Sequence, residues 1–119
     1  MAIDVRLKRI YEPPHRADGY RVLVERLWPR GVSRNDARVD DWARELAPSD
    51  ELRRWYDHSP ARFDEFRRRY MRELSAKRPR LSEIRRRARI GRVTLVFAAR
   101  EPELSNASVL ASALRRGLR

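Results

Sequence analysis

The sequence predicts an α/β fold: one small domain over residues 1–119, with about three β-strands, mixed or parallel, covered by about five helices in the order β-β-α-α-α-α-β-α. Three observations lead there. Residues 3–10 alternate apolar and polar side chains with the period of a half-buried strand, and residues 20–27 follow as a more apolar strand. The middle of the chain carries apolar residues at helical spacing, cut by Pro and Gly. Close to the end, residues 92–98 read RVTLVFA, a nearly unbroken β-branched run suited to a strand covered on both faces.

Ile3, Val5 and Leu7 alternate with Asp4, Arg6 and Lys8, a first strand. The segment YEPPHRADG, residues 11–19, is a loop, too long for a simple hairpin and too short for a helical crossover, so the relative direction of the first two strands stays open. The second strand is expected over residues 20–27, with Val22, Leu23 and Val24 giving it a central character. Pro29, lacking an amide hydrogen, ends it, and Gly31 frees the turn. Val39, Trp42, Ala43 and Leu46 fall at i, i+3, i+4 and i+7, predicting a short helix capped by Asp36 or Asp40. Ser49 caps a second helix running to about Tyr56 that buries Leu52 and Trp55. Ser59-Pro60 opens a third, striped by Phe63, Phe66, Tyr70 and Leu74, with Asp64/Arg68 and Glu65/Arg69 pairs outside. Pro79 begins a fourth, with Leu81, Ile84 and Ala88 inward and Gly91 at its end. Ser105 or Asn106 caps the last, which buries Val109, Leu110, Ala113 and Leu114.

Composition narrows function more by exclusion than by indication. Cysteine is absent, which removes thiol nucleophiles, disulfides and thiolate metal sites. Two histidines far apart give no expectation of a metal site, and no cofactor is expected. No apolar run reaches the roughly 20 residues of a membrane span, and the amino terminus has no leader pattern. A cytoplasmic, membrane-free protein is the expectation. Net charge is +12, from 27 arginines and two lysines against 17 acids. Residues 60–92 alone hold 13 basic and four acidic side chains. Arg80, Arg85, Arg86, Arg87 and Arg89 are its densest group, a patch able to hold nucleic-acid phosphates or an acidic partner without reading sequence.

The second candidate is the exit of the second strand. In open α/β sheets, ligands bind beyond the carboxyl ends of strands and beside helix amino termini. Arg26, Trp28 and Arg30, in the loop around Trp28-Pro29-Arg30-Gly31, together with Arg53, offer guanidinium forks and an aromatic platform for a phosphate- or carboxylate-bearing ligand. Arg100, Glu101, Ser105 and Asn106 follow the last strand, and both loops border one crevice if the strands are parallel neighbours. Glu25 and His58 are the candidates for acid–base chemistry. No phosphate loop, nucleophile elbow or zinc-protease motif is present.

The strings VRLKRIYEPP (5–14), DGYRVLVERLWPRGVSR (18–34), DDWARELAPSDELRRWYDHSPARFDEFRRRYMREL (40–74) and VTLVFAA (93–99) resemble the YeaO-like domain-of-unknown-function family over nearly the whole chain. The resemblance implies a small bacterial protein with no assigned activity. It directs attention to Lys8, Arg9, Asp18, Glu25, Arg26, Trp28, Arg30, Trp42, Ser49, Arg53, Trp55, His58, Tyr70 and Glu73, among others. It also marks a departure: Leu104 and Ser105 stand where the family commonly shows a histidine and then an asparagine.

Overall fold

A computed structural model describes residues 2–118; Met1 and Arg119, the ends of the expected domain, lie outside the described residues. Two strands, β1 (Val5–Arg9) and β2 (Tyr20–Leu23), are followed by a one-turn helix α1 (Arg34–Ala37) and a two-residue strand β3 (Asp41–Trp42). Then come α2 (Asp50–Tyr56), α3 (Phe63–Ser75), α4 (Arg78–Ile90), β4 (Val93–Phe97) and α5 (Asn106–Arg116). The sheet has four strands, in the order β1-β4-β2-β3, and every pairing is parallel. The expected three strands, mixed or parallel, are therefore corrected to four, all parallel.

The length of the 11–19 loop now has its reason. It carries the chain from β1 to a parallel β2 and leaves one strand position between them, which β4 fills from the other end of the sequence. Gly19 makes the crossing tight. Its φ is +66°, and a Cβ there would sit 2.3 Å from the carbonyl oxygen of Arg92.

Period-two alternation sorts the strands between two faces. Val5, Val22, Val24, Val93, Leu95 and Phe97 pack with residues of α2, α3, α4 and α5 in the main core. Leu23 and Val96 face the other way, where Ile10, Ala37, Trp28, Val32, Val39 and Trp42 cover them. All five residues of β4 are buried, as a strand covered on both faces requires. The second face also holds a polar knot. Buried Arg21 donates to Asp18 Oδ2 at 2.7 Å and to the Ala37 carbonyl at 2.8 Å, while Lys8 reaches Asp18 Oδ1 at 3.1 Å.

The helix expected over residues 39–46 does not form. Its four stripe residues divide between the two faces: Ala43 and Leu46 enter the main core, and Val39 and Trp42 enter the second cluster. The edge of β2 recruits the segment instead. Asp40 N donates to the Arg21 carbonyl, Ala43 N to the Leu23 carbonyl, and Arg21 N to the Asp40 carboxylate. The helix that does form, α1, precedes that segment, capped by Ser33 and ended by a left-handed Arg38, so Asp36 and Asp40 have no 39–46 helix to cap. β2 stops at Leu23 rather than Leu27, although Val24 N still bonds the Val96 carbonyl.

Elsewhere the expected elements stand, with local changes. Ser49 caps α2, and Ser105 caps α5. α2 buries Leu52 and Tyr56, while Trp55 is half-buried beneath the guanidiniums of Arg62 and Arg69. Ser59-Pro60 opens a short 3-10 turn leading into α3. Arg68 pairs with Glu65 rather than Asp64. No helix is long and apolar enough to cross a membrane among the described residues.

Candidate functional site

β2 and β4 are parallel neighbours, so the loops leaving their carboxyl ends lie side by side. They then part. The chain leaving β2 proceeds to β3 on one side, and that leaving β4 enters α5, which packs over β4 and β1. A crevice opens at such a divergence in open α/β sheets. Here it is a cleft of about 540 Å³, within the range of small-molecule sites.

Its walls come from four places. Glu25 and Arg26 follow β2; Ala98 to Glu101 follow β4; Arg53, Tyr56 and His58 come from α2 and its exit; Leu104, Ser105 and Asn106 open α5. Ala47, Pro48, Pro60 and Phe66 supply apolar surface. The charges are Arg26, Arg53 and Arg100 against Glu25 and Glu101, with His58 at the edge.

Glu25 and Arg26 are the partly buried charges of the cleft. Its Oε2 accepts the Ala98 amide at 3.1 Å, and no ion pair forms with it among the described residues. Burial pushes its carboxyl above the usual glutamate range, while the Ala98 amide and the charge of Arg53 oppose the shift. Arg26 serves the scaffold with one edge, donating to the carbonyls of Pro48 at 3.1 Å and Ala47 at 3.2 Å. Arg53 is about half exposed, and its single described hydrogen bond is to Asp50 Oδ1 at 3.3 Å. Tyr56 donates to the Leu104 carbonyl at 2.7 Å, and burial raises its phenol, helped by the charge of Glu101. Asn106 donates to the Val24 carbonyl at 2.6 Å, fastening α5 to the end of β2.

His58 is exposed at the rim. It and Asp57 both take left-handed backbone conformations, φ 53° and 45°, which side chains adopt at a cost. The turn sets the imidazole tilted beside Tyr56, ring centroids 6.2 Å apart.

Of the residues singled out in the sequence, Glu25, Arg26, Arg53 and His58 meet in this cleft; Trp28 and Arg30 do not line it. Trp28 lies across the sheet in the second cluster, edge-on to Trp42 at 5.3 Å, its indole N–H held by the Val32 carbonyl. Arg30 is exposed, and its carbonyl accepts the Tyr11 hydroxyl. Of the other cleft residues, the sequence predicts Phe66 only as part of a helix stripe and Tyr56 only as the end of the second helix. The helical arginines divide as well. Arg80 is held by Asp41, Glu45 and Glu83, Arg85 caps the carbonyls of Ala113 and Leu114, and Arg87 lies over Tyr20. Arg86 and Arg89 are exposed. Ser49 and Glu73 explain each other structurally, since Glu73 accepts both the Ser49 amide and its hydroxyl. Among the described residues there is no group of three or more side chains suited to a metal ion.

A parallel sheet with its long helices on one face and a cleft at the divergence of two neighbouring strands places the chain among the open α/β proteins. More narrowly, the chain belongs to the DUF488-N3i family, described as the inactive DUF488-N3 subclade, which it matches over residues 4–119. It is a YeaO-like domain of unknown function. An uncharacterized protein of Mycobacterium tuberculosis strain H37Rv is 47% identical over 110 residues, 92% of each chain. The uncharacterized protein YeaO of Escherichia coli is 35% identical over 113 residues, covering 95% of this chain and 98% of its own. No solved structure matches the chain significantly.

Proposed function

We propose that this protein binds a small phosphate- or carboxylate-bearing ligand in the cleft between the ends of β2 and β4, through Arg53 and the free edge of Arg26. The observation that carries the reading is the convergence of four separate chain segments on one cleft with three guanidiniums. Arg53 matters most. It lies on a rigid helix, half exposed, with only a weak local partner, so its fork is available to an incoming anion. Arg100 adds charge at the mouth, and Tyr56 and Phe66 provide apolar wall.

Binding without turnover is the form of this reading the chain favours. The subclade is described as inactive, and Leu104 and Ser105, the two positions that depart from the family pattern, both line the cleft. Glu25 and His58 then act as recognition groups rather than as acid and base. Nucleic-acid or acidic-partner binding through the arginine-rich helices has less support, because Arg80, Arg85 and Arg87 are engaged within the fold.

A thermal-shift panel tests the proposal, since a ligand of the folded state raises its melting temperature. The panel contains inorganic phosphate, aryl phosphates, nucleoside monophosphates, benzoates and a short DNA duplex. At least one small anion is expected to stabilise wild type and not Arg53→Ala. Stabilisation by duplex alone, equal in both proteins and lost in salt, would move the function to Arg86 and Arg89.

A further inference from the structure

The anion-binding reading leaves one group in the cleft without a complement. Glu25 Oε2 takes the Ala98 amide, but Oε1 has no hydrogen-bond partner among the described residues. Among the described residues no buried side-chain oxygen lacks a partner, so Oε1 is open to the cleft rather than sealed. No described cation lies within ion-pair distance of Glu25, although the cleft holds three guanidiniums. Of these, Arg53 and Arg100 are exposed, whereas Arg26, like Glu25, is partly buried.

The cleft thus carries both signs of charge, three guanidiniums and one incompletely satisfied carboxylate, in a wall that also includes Tyr56, Phe66 and Ala98. A purely anionic ligand would leave Glu25 Oε1 without a partner. A ligand carrying both signs would satisfy both regions, and the lining tally of three arginines against two acids suits a molecule of mixed charge better than a polyanion. A charge-assisted hydrogen bond to a poorly solvated carboxylate is among the stronger polar contacts available.

Resting on the proposed anion site, we infer that the ligand is a small zwitterion, whose acidic group meets Arg53 and the free edge of Arg26 and whose protonated amine or amidine donates to Glu25 Oε1. Tyr56 and Phe66, which line the same cleft, suit a short aromatic or aliphatic body joining the charged ends.

Matched probes separate this inference from the site itself. Calorimetric titration of wild type with 4-(2-aminoethyl)phenyl phosphate and with 4-ethylphenyl phosphate compares two molecules of the same body and phosphate, differing in the ammonium. The amine-bearing probe is expected to bind about tenfold tighter or more, and Glu25→Gln is expected to erase that preference while still binding the ethyl compound. Equal affinity for the two probes, or tighter binding of the ethyl compound, overturns the zwitterion and leaves the anion site standing. Binding of neither overturns both. If Glu25→Gln fails to fold, the wild-type comparison decides alone.

Discussion

Replacing Arg53 by alanine separates binding from stability more cleanly than any other change in the cleft. On the side of stability, Arg53 makes one described hydrogen bond, at 3.3 Å to an Asp50 that is itself about half exposed. An exposed pair of this spacing is worth about 0.5 kcal/mol or less, and alanine regains a few tenths through helix propensity. The net change is within about 0.5 kcal/mol, which for a chain of this size moves Tm by less than about 3 °C. On the side of binding, a guanidinium–anion contact contributes about 1.5–3 kcal/mol. The exposure of Arg53 places it at the low end, so the dissociation constant should rise about tenfold. Titration of the most stabilising anion of the thermal panel into wild type, Arg53→Ala and Arg30→Ala measures it. Arg30→Ala, altered outside the cleft, should match wild type in both affinity and Tm. Unchanged affinity in Arg53→Ala, or an equal loss in Arg30→Ala, would refute the placement of the site.

Three further expectations concern the scaffold. Burial holds the folded pKa of Glu25 above its ordinary 4.5, so the folded state binds the proton more tightly and stability falls as pH rises from about 4.5 through the folded value. Glu25→Gln removes that loss: denaturant midpoints should show it more stable than wild type at pH 7, with the advantage gone near pH 4, and a pH-independent difference would contradict this. Tyr70 is fully buried and donates to the Leu46 carbonyl; Tyr70→Phe orphans that carbonyl and should cost about 1–3 kcal/mol by chemical denaturation, a cost below about 0.5 kcal/mol being the contrary result. Gly19→Ala drives a Cβ against the Arg92 carbonyl at a positive φ, and should lower Tm by at least about 8 °C, whereas a wild-type Tm would show that the loop relaxes freely.

The sequence was most legible where one local rule acts alone. Ser49 and Ser105 announce their helices as caps, and Val93 to Phe97 announce a buried strand. The crevice at the two strand ends was legible too, because parallel neighbours bring their exits together and Glu25, Arg26 and Arg100 lie within a few residues of those exits. What failed depended on which face the chain visits. Trp28 and Arg30 are close to Glu25 in sequence, but the loop beyond Val24 crosses to the second face, and neither proline nor glycine signals reveal that crossing. Val39, Trp42, Ala43 and Leu46 have helical spacing by coincidence, since their partners lie on opposite sides of the sheet and the free edge of β2 draws the backbone into a strand. Tyr56 was hidden by its neighbour. Trp55 is the larger aromatic, yet flanking arginines cover it near the surface while Tyr56 turns inward to Leu104. The arginine count hides a similar division: Arg80, Arg85 and Arg87 are engaged within the fold, and charge alone does not distinguish them from the exposed Arg86 and Arg89.

The most direct measurement is a two-dimensional amide NMR titration of the full chain with the anion that most stabilises it. The account predicts saturable shifts confined to Glu25, Arg26, residues 53–58, Ala98 to Glu101 and Ser105 to Asn106. Shifts centred on Arg86 and Arg89, or on the Trp28-Pro29-Arg30-Gly31 loop with the cleft unmoved, would contradict it.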